Sequence, residues 1–156
     1  MHWSGQKLRR AARLSLPIQY IVVTQTGSDG CSSVRKCSEL MHTLLNHSDI
    51  GYNFVVAGDG NVYEGRGWDS EGSKTGHLAA CSLSVAFLGN FQETEPNILQ
   101  EQALQRLLQL GVKYKMLVEQ FKLVLIETGL SKEFRNEVKE MPNYNGDSPD
   151  KIECKI

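Results

Sequence analysis

One continuous run, Gly51 to Trp68, constrains the fold more than any other part of the sequence. Two β-prone stretches, Phe54 to Ala57 and Asn61 to Tyr63, flank the tripeptide Gly58-Asp59-Gly60. An Asp-Gly pair between such stretches tolerates the positive φ angles of a tight hairpin turn. The run therefore predicts a β-hairpin.

The other elements alternate between strands and helices. Apolar, β-prone runs at 18–23, 83–88 and 121–126 predict strands. Helical spacing of apolar residues predicts helices over 34–46 and from 98 to about 115, the second one capped by Asn97. This alternation predicts an α/β fold with a central mixed β-sheet flanked by helices.

The chain has two parts of different character. Residues 1–126 carry all the predicted elements, so they are expected to form one domain. Residues 127–156 are polar, without clear periodicity, and residues 143–150 are rich in turn-forming residues. The sequence therefore predicts a divergent tail over 127–156 that is disordered.

Composition excludes some classes of partner. The net charge is −1, which gives no electrostatic case for nucleic acid or an anionic membrane. No apolar run approaches the roughly 20 residues of a membrane span. The segment from Met1 to Lys7 lacks the apolar core of a signal peptide. Two explanations stay open: the protein is intracellular, or upstream sequence is missing.

Four cysteines are present. Cys31 and Cys37 are spaced to close a small disulfide ring, but two buried or free thiols fit the same spacing equally well. Cys81 and Cys154 have no obvious partner, and neither shows the paired spacing of a structural zinc site.

Several sequence blocks occur in the same order as in a known protein family. They are Trp3, LPIQYIVVTQT at 16–26, the loop from Cys31 to Cys37, GYNF at 51–54, GDGNVYEGRGW at 58–68 and SVAFLGNF at 84–91. Together, over roughly residues 3–124, they resemble the peptidoglycan recognition protein family, which is related to phage zinc amidases. The resemblance implies an amidase-like fold with a groove for muramyl peptides on one face of the sheet. It also implies a disulfide between Cys31 and Cys37.

Catalytic members of that family hold zinc with two histidines and a cysteine, beside a tyrosine. Three protein ligands and a water form the open site of a hydrolytic zinc. Aligned with the family, the three ligand positions are occupied here by Gln25, Ile126 and Phe134, whereas Tyr52 matches the tyrosine. A neutral amide is a poor zinc ligand, and the other two are hydrocarbons. The resemblance therefore implies a non-catalytic member with no cofactor.

The resemblance also places eight residues in the ligand groove: Thr26, Asn46, His47, Tyr52, Arg66, Trp68, Lys74 and His77. Asn46-His47 fits neither of the pairs that the family associates with diaminopimelate or lysine stems. Cys81 stands where readers of diaminopimelate often carry arginine. These departures weaken the expected contacts with either stem type.

Each groove residue also has a plainer interpretation. Tyr52 could be a half-buried strand aromatic, and Arg66 with Trp68 could be loop framework. His42 and His47 point about 140° apart on a helix, so they suit a solvated surface better than a metal. His77 and Cys81 could belong to a replacement zinc site, although zinc needs three or four converging ligands.

Three functions follow from these expectations. The first is a non-catalytic pattern-recognition protein that binds bacterial peptidoglycan in innate immunity. The second is a regulatory or decoy domain that binds another recognition protein. The third is an active zinc-dependent N-acetylmuramoyl-L-alanine amidase with a rearranged site. For all three, the resemblance implies an extracellular location, either secreted or in the ectodomain of a membrane receptor.

Overall fold

A computed structural model describes residues 12–47, 50–147 and 149–155, and the side chains of residues 45–47 fall outside this description. Five strands form one sheet in the order β3-β2-β4-β1-β5. Their bounds are β1 (Ile18–Gln25), β2 (Phe54–Val56), β3 (Val62–Glu64), β4 (Ser82–Phe87) and β5 (Leu117–Leu125). Only β2 and β3 pair antiparallel within this sheet. The prediction of an α/β fold with a mixed sheet is confirmed.

The hairpin of β2 and β3 is the one that the Asp-Gly pair predicts. Gly60 has φ +84°, and its N–H donates to the carbonyl of Ala57 at 3.0 Å. Gly58 has no room for a side chain, because an added Cβ would lie 1.8 Å from the carbonyl oxygen of Cys31. The turn therefore packs tightly against the loop that the Cys31–Cys37 disulfide closes, and that disulfide is present as the resemblance implied.

Three α-helices cover the sheet: α1 (Val34–His47), α2 (Ile98–Lys113) and α3 (Lys132–Lys139). Asn97 caps α2 as predicted, through a reciprocal pair of hydrogen bonds with Gln100. The buried Gln100 amide also donates to the carbonyls of Val56 and Leu88, both at 3.2 Å. These bonds fix the start of α2 against the ends of β2 and β4. In the described ranges, no helix is both long and apolar enough to cross a bilayer.

The two faces of the sheet carry different helices. Alternate residues of a strand point to opposite faces, and Ile21 and Val23 pack into the main core, the buried cluster that includes α2 and α3. Val22 lies on the other face, the α1 face, where Cys37 and Met41 of α1 are fully buried.

The segment after residue 126 differs from the disordered tail that the sequence predicts. Helix α3 buries Phe134 and Val138 in the main core, and Ser131 caps it by accepting a hydrogen bond from the N–H of Phe134. The prediction misses α3 because six of its eight residues are charged or polar, which makes the segment resemble a solvated tail. A second disulfide, between Cys81 and Cys154, ties the end of the chain to the sheet. The division of the chain at residue 126 into domain and tail stays a prediction.

Candidate functional site

Three of the predicted groove residues meet where β1 ends. The Thr26 hydroxyl accepts a hydrogen bond from the N–H of Gly89 at 3.0 Å, which ties the end of β1 to the end of β4. The Tyr52 hydroxyl donates to the carbonyl of Gln25 at 3.3 Å. Lys74 is exposed, and its ammonium lies 5.7 Å from the centre of the Tyr52 ring. These three side chains form what we call the Tyr52 site.

The electrostatics of the Tyr52 site suit an anionic, hydrogen-bonding ligand. Burial raises the pKa of Tyr52, so its hydroxyl stays protonated at neutral pH and can donate a hydrogen bond. The exposed Lys74 ammonium supplies a positive charge over the Tyr52 ring. Tyr52 packs beside α1 on the α1 face, so this site lies on that side of the sheet.

The side chains of Arg66 and Trp68 make contacts within the fold. An Arg66 guanidinium nitrogen donates to the carbonyl of Glu71 at 2.7 Å, within the loop that follows the hairpin. Trp68 packs against the main core, with its ring centre 5.0 Å from that of Phe54. It therefore lies on the opposite face from Tyr52. These contacts favour the framework interpretation of both residues, and contact of either one with a ligand stays a prediction.

His77 is engaged by the end of the chain. Its Nε2 lies 2.6 Å from the carbonyl oxygen of Ile152, so that nitrogen must carry the proton. Cys81 is bonded to Cys154. Because a disulfide sulfur carries no thiolate, the two residues do not form the replacement zinc pair that their spacing allowed. Asn46 and His47 end α1, and their side chains lie outside what the structure describes.

Three buried hydroxyls have no hydrogen-bond partner among the described residues. They belong to Thr75, Ser82 and Ser84. Ser82 and Ser84 alternate along β4 with Leu83 and Val85, which face the main core, so the two serines lie on the α1 face. A buried hydroxyl that bonds nothing costs about 1–3 kcal/mol. Ordered water or a polar ligand group would satisfy such positions.

The fold and the sequence both match known proteins. Residues 14–126 match the family model described as N-acetylmuramoyl-L-alanine amidase. The peptidoglycan-recognition protein SA of Drosophila melanogaster is 34% identical over 154 residues, which cover 91% of this chain and 76% of that protein. The chain belongs to the peptidoglycan recognition protein family.

Solved structures of this family superpose closely. The Drosophila peptidoglycan recognition protein SA matches with a TM-score of 0.83 at 30% identity, over 92% of this chain and 90% of that one. A second match, with a TM-score of 0.80 at 34% identity, covers 88% of this chain and 90% of that one. It comes from a structure of tracheal cytotoxin bound to the ectodomain complex of peptidoglycan recognition proteins LCa and LCx.

The zinc of the family's amidases does not fit the residues at its three aligned positions. Both ends of the Gln25 amide make hydrogen bonds within the fold. Its oxygen accepts from the N–H of Phe91 at 2.6 Å, and its nitrogen donates to the carbonyl of Gly129 at 3.0 Å. Ile126 packs on the α1 face, whereas Phe134 is buried in the main core. The three side chains therefore do not converge, and none is a good zinc ligand.

Other possible ligands in the described residues do not replace them. All four cysteines form disulfides, so no thiolate is available. No group of three or more His, Cys, Asp or Glu side chains in the described ranges is arranged to hold a metal ion.

Sequence reasoning missed the residues that join the end of the chain to the sheet. Gln19, Ile152 and the Cys81–Cys154 disulfide make these contacts. The even cysteine count was the available signal: once Cys31 pairs with Cys37, an oxidising compartment leaves Cys81 and Cys154 for each other. No local pattern marks Gln19 or Ile152, because their contacts span most of the chain.

Proposed function

We propose that this chain binds bacterial peptidoglycan fragments in innate immunity and does not hydrolyse them. The observation that carries the proposal is Gln25. It replaces a zinc-binding histidine in the alignment, and both ends of its amide are already used to join Phe91 and Gly129. The family fold around Gln25 is kept, whereas an amide takes the place of the imidazole that would bind zinc.

Binding is supported by the Tyr52 site. Muramyl peptides offer amide groups and carboxylates, and the site presents a protonated hydroxyl beside an exposed ammonium. The hydroxyl, whose proton is donated to the carbonyl of Gln25, can accept a hydrogen bond from a peptide N–H, while Lys74 can pair with a carboxylate. A related structure contains tracheal cytotoxin bound to two proteins of the family. We propose that this chain binds ligands of the same class.

Calorimetric titration with muramyl tripeptides and tetrapeptides tests this proposal. Stem peptides with lysine and with diaminopimelate at the third position are titrated separately. We expect saturable one-to-one binding of at least one of them, and a several-fold weaker affinity for Lys74→Ala. Lys132→Ala is the matched control, because Lys132 is also an exposed lysine and lies on α3, on the opposite side of the sheet from the Tyr52 site. Absence of binding with both stem types would refute the proposal.

A second candidate function is association with another recognition protein. The matched chain in the tracheal cytotoxin structure belongs to a complex of two such proteins, and this chain carries an altered groove. Size-exclusion chromatography with a second family member, with and without a muramyl tetrapeptide, separates the two functions. A complex that forms without muropeptide favours a regulatory or decoy role.

We also propose an extracellular location, secreted or in a receptor ectodomain. Two disulfides join all four cysteines, and disulfides persist in oxidising compartments. The related LCa and LCx chains come from ectodomains. Mapping disulfides by mass spectrometry in the protein isolated from its source tests this location: four reduced cysteines would contradict it.

A further inference from the structure

The last described residues, 149–155, cross the α1 face of the sheet; we call them the C-terminal strap. The strap begins with one 3₁₀ turn, Pro149–Lys151. Ile152 then inserts its side chain, 5% exposed, into an apolar cluster with Val22 of β1, Val124 of β5 and Leu78. The strap thus lies over β1 and β5, on the same side of the sheet as α1.

Two polar side chains hold the strap by its backbone. Gln19 donates to the carbonyl of Lys155 at 2.6 Å and accepts from its N–H at 3.1 Å. His77 donates to the carbonyl of Ile152 at 2.6 Å. A predicted ligand residue of the family groove is therefore occupied by the protein's own chain.

The noncovalent hold on the strap is small. Ile152 is its one buried residue, while Asp150, Lys151, Glu153 and Lys155 are exposed. Its few hydrogen bonds can be exchanged for bonds to water. The conformational entropy that the strap loses when it is ordered opposes the free energy gained from these contacts. The Cys81–Cys154 disulfide therefore decides its position, because it keeps the strap beside the sheet at high effective concentration.

We propose that the strap is a redox-released cover of the ligand-binding face. A dithiol attacks the Cys81–Cys154 disulfide, forms a mixed disulfide and then closes its own disulfide, leaving two cysteine thiols. Two electrons and two protons pass from the dithiol to the protein. Cys154 is only half-buried, so the attacking thiolate can reach its sulfur, whereas Cys81 is 1% exposed. Release of the strap exposes Val22 and Val124 and frees His77.

The link to ligand binding rests on the proposed function. With the disulfide intact, the Nε2 atom of His77 bonds Ile152 and is not available to a ligand. Once the strap is released, one additional hydrogen bond becomes available, which corresponds to an affinity gain of roughly three- to tenfold. The oxidised protein is thus the weaker binder.

Amide hydrogen exchange tests release of the strap. The variant Cys81→Ser/Cys154→Ser is compared with the wild type and with Cys31→Ser/Cys37→Ser, a matched control that removes the other disulfide. We expect the amides of Ile152 and Lys155 to exchange at least tenfold faster in the first variant, with β1 and β4 amides unchanged. The control should keep wild-type exchange in the strap. Unchanged strap exchange in the first variant would overturn the proposal.

A second measurement covers the case in which the serine variant does not fold. The wild type is treated with dithiothreitol, and the imidazole signals of His77 are followed by NMR while alkylation reports which cysteines are reduced. A change at His77 that coincides with alkylation of Cys154 supports release. Alkylation of Cys154 with no change at His77 contradicts it.

Titration of a muramyl tetrapeptide into both folded forms then separates this inference from the proposed function. A three- to tenfold tighter affinity after release supports the link. Equal affinities overturn the link. If neither form binds while strap exchange accelerates, the proposed function fails and the strap still behaves as inferred.

Discussion

At the residue scale, the Gln25 amide links two segments of the fold. Its side chain bonds the N–H of Phe91 and the carbonyl of Gly129, and so joins the segments that follow β4 and β5. We expect Gln25→Ala to lower the free energy of unfolding by about 1–3 kcal/mol, because two backbone groups lose their partner. Urea denaturation measures this change. Gln92→Ala, at an exposed position, is the control, and an equal loss in both variants would refute the structural role of Gln25.

Tyr52 carries the corresponding prediction for binding. Its hydroxyl makes a long hydrogen bond of 3.3 Å to Gln25, so Tyr52→Phe should cost only about 0.5–1 kcal/mol of stability. The same change should weaken muropeptide affinity at least threefold, since the ligand loses a hydrogen-bond partner. Tyr114→Phe serves as the control because Tyr114 is 62% exposed at the end of α2. Equal muropeptide affinities of Tyr52→Phe and the wild type would contradict a ligand role for the hydroxyl.

At the element scale, α3 completes the main core. The Phe134 ring packs edge-on against Phe87 and Phe91, with ring centres 4.9 and 5.4 Å away. Phe134→Ala should therefore lower the free energy of unfolding by about 3–5 kcal/mol, the usual cost of such a cavity. Lys132→Ala, at an exposed position of the same helix, should cost less than about 0.5 kcal/mol. Similar unfolding midpoints for the two variants would show that α3 does not dock.

The contact between α3 and α2 also predicts a pH dependence. Burial, with hydrogen bonds to Glu101 and Glu95, raises the pKa of Glu137 from its ordinary 4.5 to about 9. Between pH 5 and pH 9 the unfolded chain releases this proton while the folded protein keeps it, so this group's contribution to stability falls as the pH rises. Glu137→Gln should flatten that fall, as measured by melting temperatures at pH 5, 7 and 9. The exposed Glu119→Gln should not, and parallel curves for wild type and Glu137→Gln would disprove the shift.

At the scale of the whole molecule, local patterns predicted the sheet and its two longer helices. Strand periodicity, the Asp-Gly turn and the Asn97 cap are each contained within a few residues, so the sequence displays them directly. The strap is held instead by pairs such as Gln19 with Lys155 and Cys81 with Cys154, which are far apart in the chain. The candidate site could be predicted only in part. Tyr52 and Lys74 lie together, but no local pattern in the sequence shows that Trp68 lies on the opposite face of the sheet.

The measurement that tests the central claim most directly combines binding with product analysis in one sample. A muramyl tetrapeptide is titrated calorimetrically into the protein in the presence of zinc, and the sample is then analysed by mass spectrometry. Binding without cleavage predicts saturable heat and a ligand of unchanged mass, together with no stoichiometric zinc on the protein. Release of the free stem peptide from muramic acid would contradict that account.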